Sequence, residues 1–144
     1  MTANVTRYPD TAADKTHAVS EGYKALERRI NSEIKSAKEK IEKFKAELSE
    51  RSPAYAFSWA DGVIRAAATL DVWTQVKLNI DEGASIRLLR DIAEQNVLHA
   101  ARYPQKSTSD CSNLIEQYKL SAWAEVASFL SSTIEFLTDK GVEV

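Results

Sequence analysis

Apolar residues recur at spacings of three and four from about residue 19 to residue 48, among lysines and glutamates. They form a narrow seam that consists of Val19, Tyr23, Leu26, Ile30, Ile34, Ala37, Ile41, Phe44 and Leu48. This alternation is typical of a coiled-coil contact rather than of the broad apolar face of a globular helix. The pattern predicts one long helix, at about residues 11–51. The two successive steps of four from Leu26 through Ile30 to Ile34 form a stutter, which favours packing in a bundle over a long uninterrupted dimeric coiled coil.

A second helix is predicted at about residues 53–79. Ser52 and Pro53 mark its start, because serine caps helices and proline is tolerated at the first helical position. Its apolar residues keep a helical spacing: Trp59, Val63, Ala66, Leu70, Trp73, Val76 and Ile80. Residues 70–80 also alternate between apolar and polar types and are rich in β-branched residues, as strands are. A strand would need a partner, and only residues 4–7 and 142–144 are weak candidates, so an α+β fold is the alternative.

Two further helices are predicted, at about residues 84–102 and 111–139. The fourth carries two adjacent apolar stripes, which is typical of a helix at the centre of a bundle, and Gly141 is a natural residue to end it. The scarcity of helix breakers, four Gly and three Pro among 144 residues, also favours long helices. The sequence therefore predicts an all-α, four-helix bundle-like domain over residues 10–144, preceded by a flexible arm at residues 1–9.

The net charge of -2 predicts no overall attraction to nucleic acid or to an anionic membrane. The charges are unevenly distributed. Residues 21–51 contain nine Lys or Arg and seven Glu, a balance of +2, whereas residues 110–144 contain two Lys and six Asp or Glu, a balance of -4. Opposite charges at the two ends of the chain predict attraction between them, within one subunit or between two.

A cytoplasmic protein without a membrane partner is expected. Cys111 is the only cysteine, so no internal disulfide can form, which fits a reducing compartment. The N-terminus lacks a basic region followed by an apolar stretch, and no run approaches the roughly 18 apolar residues of a membrane span.

Catalytic chemistry is not predicted. His99 has no second His, Cys or carboxylate at metal-ligand spacing, and the other histidine, His17, lies near the N-terminal arm. No nucleotide-binding, zinc or nucleophile motif occurs. We therefore expect neither a catalytic residue nor a cofactor or bound metal. A carboxylate-bridged metalloenzyme is a further alternative, although Glu94, Glu116 and Glu125 do not form the Glu-x-x-His motifs of such centres.

Lysines on the first helix are the strongest charged feature. They are Lys35, Lys38, Lys40, Lys43 and Lys45, and they could follow a phosphate backbone. Glutamates interleave with them at spacings of four, as on any solvated helix, so ordinary surface pairing is favoured. A dimeric nucleic-acid-binding regulator that uses the lysine-rich face is the first alternative function.

The preferred hypothesis is a non-enzymatic module that binds another protein, and that also forms a homodimer. A small inhibitor, immunity protein, adaptor or assembly factor fits the size, the helicity and the missing catalytic motifs. The candidate interface comprises Ile30, Ile34, Ile41, Phe44 and Leu48 of the seam, together with Val72 and Trp73. The last two are expected at an exposed edge of the second helix, and tryptophan is enriched at binding hot spots.

Overall fold

The computed structural model describes the backbone of residues 12–50, 53–102 and 110–142, and the side chains of residues 17–50, 60–100 and 113–142. These ranges form four helices: α1 (Ala12–Glu50), α2 (Pro53–Asp81), α3 (Ile86–Arg102) and α4 (Asp110–Asp139). The all-α prediction is confirmed, and the described ranges contain no strand, so the alternative of a strand at 70–80 is wrong. The predicted arm at residues 1–9 and the capping residue Ser52 lie outside the described residues.

Glycine and serine determine where the helices end and begin. Gly83 follows α2 with φ of 93°, and Gly141 follows α4 with φ of 74°, so both adopt the left-handed conformation that favours glycine. The Val142 N–H then donates to the carbonyl of Leu137 at 2.9 Å, which completes the helix end predicted at Gly141. At the start of α3, the Ser85 hydroxyl accepts a hydrogen bond from a backbone N–H three residues later, at 3.1 Å.

The helices are arranged as two hairpins that pack through α2 and α4. Extensive contacts join α1 to α2, α3 to α4 and α2 to α4, whereas α1 meets α4 and α2 meets α3 only locally. Because only residues 51–52 separate α1 from α2, these two helices run antiparallel. Asp61 contacts Tyr118, and Arg29 lies between Trp73 and Phe129, so α2 and α4 run parallel. Helix α2 therefore lies between α1 and α4.

All four helices contribute to one hydrophobic core. Its largest fully buried side chains are Trp73, Leu26, Ile86, Leu89, Leu130, Leu137, Val76 and Val126. Helix α1 approaches the core closely at Gly22, where an added Cβ would lie 3.3 Å from Leu137 and 3.6 Å from Ile86. Leu26 and Ile30 of the seam belong to this core, and Val19, Tyr23 and Ile34 pack against it partly buried. Ala37, further along the seam, is 3% exposed. The first two thirds of the seam therefore find their partner within the same chain.

Val72 and Trp73 do not lie at the exposed edge that the sequence analysis expected. Trp73 is 0% exposed and Val72 is 3% exposed, and Ile30 of the seam is 2% exposed. The reason is that α2 has a neighbour on each side. A residue at the margin of a helix face stays exposed when one helix covers that face, but becomes core when two helices meet over it. In the folded chain these three side chains are not accessible to a partner.

Candidate functional site at the junction of α1, α2 and α4

A cleft of about 540 Å³ opens where α1, α2 and α4 meet. Its floor is formed by small residues, because Gly62 and Ala66 of α2 face Ala37 of α1. A Cβ added to Gly62 would find no heavy atom within 4 Å. These small side chains cannot fill the space between three helices, so the cleft results from having small residues where α1, α2 and α4 meet. Its volume is within the roughly 300–1,000 Å³ range of small-molecule sites.

Arg29 lies between two aromatic rings next to the cleft. Its guanidinium carbon is 5.5 Å from the centroid of the Trp73 ring and 5.3 Å from that of Phe129. Its Nε also donates a hydrogen bond to Glu33 Oε1 at 2.9 Å. Arg29 therefore links α1 to both α2 and α4, and it offsets the charge of Glu33, which lines the cleft.

Arg65 belongs to a second aromatic arrangement, between α2 and α4. Its guanidinium carbon lies 4.8 Å from the centroid of the Tyr118 ring. The Tyr118 hydroxyl donates a hydrogen bond to the carboxylate of Asp61. That hydrogen bond is the main reason why the pKa of Tyr118 lies above its ordinary value of 10.0; burial and the charge of Asp61 raise the pKa further, and Arg65 opposes the shift.

We expect this hydrogen bond to stabilise the fold near neutral pH and to lose its contribution in alkali. Because the pKa of Tyr118 is raised in the folded protein, its contribution is complete below the unfolded pKa of about 10 and is lost as pH rises through the folded value. Tyrosinate absorbance, compared between wild type and Tyr118→Phe, should reveal a group that titrates above the ordinary value. Asp61→Ala should lower that midpoint. An unchanged midpoint in Asp61→Ala would show that Asp61 is not the cause.

The cleft combines cationic side chains with hydroxyl groups. Lys40, Lys43 and Arg65 line it, together with the hydroxyls of Ser36 and Thr69. Two carboxylates also line it, Glu33 from α1 and Glu125 from α4. Since Glu33 is bound to Arg29, Glu125 is the carboxylate that most opposes the cations. The described groups of the lining can bind an anion.

Two shallower depressions flank α3. The first, of about 450 Å³, lies between α2, α3 and α4, where Lys119 Nζ pairs with Asp71 Oδ2 at 2.9 Å. The hydrogen bond to Asp71 is the main cause of the raised pKa of Lys119. The second, of about 400 Å³, lies between α3 and α4 and is lined by Glu94, Val97, Leu98, Ala124 and Ala127. We call it the α3/α4 groove; its exposed lining is almost entirely carbon.

The five lysines proposed as nucleic-acid contacts do not converge on one site. Lys40 and Lys43 line the cleft. Lys35 lies 4.0 Å from Glu39 and Lys45 lies 3.1 Å from Glu42, so these two form pairs along α1. Lys38 is exposed and does not line the cleft. Spacings of two, three and five residues distribute the lysines around the helix, because a turn takes 3.6 residues.

The remaining interface candidates lie towards the C-terminal end of α1. Ile34, Ile41 and Phe44 are half-buried, and Leu48 is 48% exposed. The seam is therefore buried in the N-terminal part of α1 and becomes more exposed towards its C-terminal end. Asp61, Tyr118 and Leu98 carry no pattern in the sequence that singles them out. The four-residue spacing of Gly62 and Ala66 was the available signal for the cleft, since small residues at this spacing leave an open stripe on a helix.

Within the described ranges there is neither a cluster of potential metal ligands nor a helix that could span a membrane. Over these residues, no group of three or more His, Cys, Asp or Glu lies close enough together to hold a metal ion. The helices described contain no segment long and apolar enough to cross a membrane. His17 and His99 are both exposed, and the side chain of Cys111 lies outside the described residues.

Comparison with known proteins gives no assignment. No family of proteins, curated protein sequence or solved structure matches this chain.

Proposed function

We propose that this protein is a non-enzymatic module that binds and modulates a partner protein, as a small inhibitor, immunity protein, adaptor or assembly factor does. The observation that carries this proposal is the α3/α4 groove. Apart from Glu94 its described lining is apolar, so Leu98, which is 40% exposed, belongs to an exposed apolar patch and is not an isolated exposed leucine. An apolar groove between two helices is a recurrent docking site for an amphipathic helix.

The groove favours a partner helix with an apolar face and basic flanks. Ala124 and Ala127 leave room for larger side chains, and Leu98 and Val97 supply the facing apolar surface. Glu94 lies at the rim, and residues 110–144, which include α4, carry a charge balance of -4. Lysine or arginine beside the apolar face of the partner would complement these charges and accelerate association.

Photo-crosslinking from position 124, followed by measurement of affinity, tests this proposal. A benzophenone side chain replaces Ala124 in the cell of origin, the crosslinked protein is identified by mass spectrometry, and its binding to the unmodified chain is measured by calorimetry. We expect Leu98→Asp to weaken binding roughly 30-fold, the equivalent of about 2 kcal/mol at a hot spot. Leu78→Asp is the matched control, because Leu78 is 50% exposed and outside the groove. Equal affinity of Leu98→Asp and wild type would reject the groove as the binding site.

Homodimerisation is a second candidate property, favoured by the exposure of Leu48. The covered part of the seam packs within its own chain, so only its end, at Ile41, Phe44 and Leu48, is left to meet a second copy. An apolar side chain that is 48% exposed at the end of a coiled-coil-like seam supports such a contact. We place both activities in a reducing cytoplasm, on account of the single cysteine.

A further inference from the structure

We propose that the cleft between α1, α2 and α4 binds a small phosphate ester, with the phosphate among Lys40, Lys43 and Arg65 and the organic group on the floor of small residues. This site is independent of the α3/α4 groove. None of the cleft residues lines that groove, so the two proposals can fail separately.

The charges at the cleft favour an anion. Lys40, Lys43 and Arg65 line it together with Glu33 and Glu125, and the Arg29 guanidinium is bound to Glu33 at 2.9 Å. Lys43 has an interaction of its own within the chain, so the preference for an anion rests on Lys40 and Arg65 against Glu125. Stacking on the Tyr118 ring holds Arg65 at the rim, so less side-chain freedom is lost when its fork of donors meets a phosphate. Lysine is a common point-charge binder of phosphate, and two lysines lie one helical turn apart here.

The floor and walls favour an ester over a bare ion. A volume of about 540 Å³ far exceeds what a single phosphate occupies. Ala37 and Ala66 form the bottom of the cleft and are themselves buried. Gly62 and the half-buried Val63 offer carbon surface against which an organic group could pack. The hydroxyls of Ser36 and Thr69 can donate to or accept from polar atoms of that group.

A nucleic-acid backbone fits the same chemistry less well. A polymer would extend along α1 beyond the cleft, where Glu39 and Glu42 neutralise Lys35 and Lys45. The molecule as a whole carries a net charge of -2, which opposes a polyanion at long range. The lysines of α1 that line a concave site are Lys40 and Lys43, as a small ligand requires.

Calorimetric titration with adenosine 5′-monophosphate, and with uncharged adenosine for comparison, tests the proposal. We expect the monophosphate to bind with a Kd of about 1 mM or tighter, and adenosine to bind at least about tenfold more weakly. Lys40→Gln should weaken binding of the monophosphate roughly tenfold or more, because a charge-assisted hydrogen bond is lost. Lys38→Gln is the matched control, since Lys38 lies on the same helix outside the cleft; it should change the Kd less than about twofold.

Gly62→Leu separates loss of the site from loss of the fold. The leucine would extend into the cleft without meeting a heavy atom near its Cβ, and leucine favours a helix more than glycine does. We expect this variant to unfold at a higher temperature than wild type and yet to lose binding of the monophosphate.

Several results would overturn the proposal. The first is absence of binding by folded wild type at about 10 mM monophosphate, and the second is a Kd for adenosine equal to that for the monophosphate. The third is an equal effect of Lys40→Gln and Lys38→Gln on the Kd of the monophosphate. The fourth is a Gly62→Leu variant that still binds the monophosphate. A short single-stranded RNA provides the remaining arm. Binding of that RNA with a steep salt dependence, without binding of the monophosphate, would reject the small ligand and favour a polymer backbone.

Discussion

Trp73→Ala is expected to lower the free energy of unfolding by about 3 to 5 kcal/mol. The side chain is 0% exposed and is among the largest in the core, so its removal leaves a cavity lined by residues of several helices. It also removes one of the two rings that flank the Arg29 guanidinium. Chemical denaturation followed by circular dichroism measures this change without relying on tryptophan fluorescence.

Two variants accompany Trp73→Ala. Trp73→Phe keeps an aromatic ring and removes the indole N–H, which has no hydrogen-bond acceptor among the described residues, so it should cost much less. Leu78→Ala, at a 50% exposed position on the same helix, should change stability by less than about 0.5 kcal/mol. If Trp73→Ala were as mild as Leu78→Ala, the indole would not be a core residue, and the exposed edge expected from the sequence would be restored.

The second large effect is expected at Ile30, in the covered part of the seam. Ile30→Asp should lower the free energy of unfolding by about 4 kcal/mol or more, because it places a carboxylate at a position that is 2% exposed. Leu48→Asp, on the same seam, should cost less than about 1 kcal/mol, because half of that side chain already faces water. Denaturation of both variants in parallel measures the contrast.

Measuring the mass of wild type and of Leu48→Asp in solution also tests self-association. If the end of the seam joins two copies, wild type should have twice the mass of one chain in light scattering, and Leu48→Asp should have the mass of one. A wild type with the mass of a single chain would reject the homodimer. Similar stability of the Ile30→Asp and Leu48→Asp variants would instead show that the seam is not covered within the chain.

The positions of the helices were accessible from sequence because their causes are local. Spacings of three and four place apolar residues on one side of a helix whatever its neighbours are. Pro53 and Gly141 act through their own backbone geometry, so the start of α2 and the end of α4 are confirmed at the expected residues. The apolar pattern at residues 70–80 fits both a helix and a strand, because a local pattern does not show which neighbours the segment will have. A strand there needs a partner strand, and helix α2 instead packs between α1 and α4.

Whether an individual side chain is buried, exposed or part of the cleft depends on the neighbouring helices. Spacing within one helix does not specify those neighbours. Trp73 becomes a core residue because α2 packs between α1 and α4. Lys40 and Lys43 look like Lys35 and Lys45 in the sequence, yet only the first two line the cleft. Which lysines do so depends on how α1 is rotated against α2.

An all-α chain of four helices with a long first helix could be predicted from the sequence, because apolar periodicity and helix-ending residues act over a few positions. That the helices need neighbours also follows from the sequence, because their apolar faces cannot stay in water. The packing of the helices, in contrast, is needed to see that most of the α1 seam is buried within its own chain. Only the structure placed small residues of α1 and α2 opposite each other beside α4, since the register of two helices depends on how all their side chains pack together.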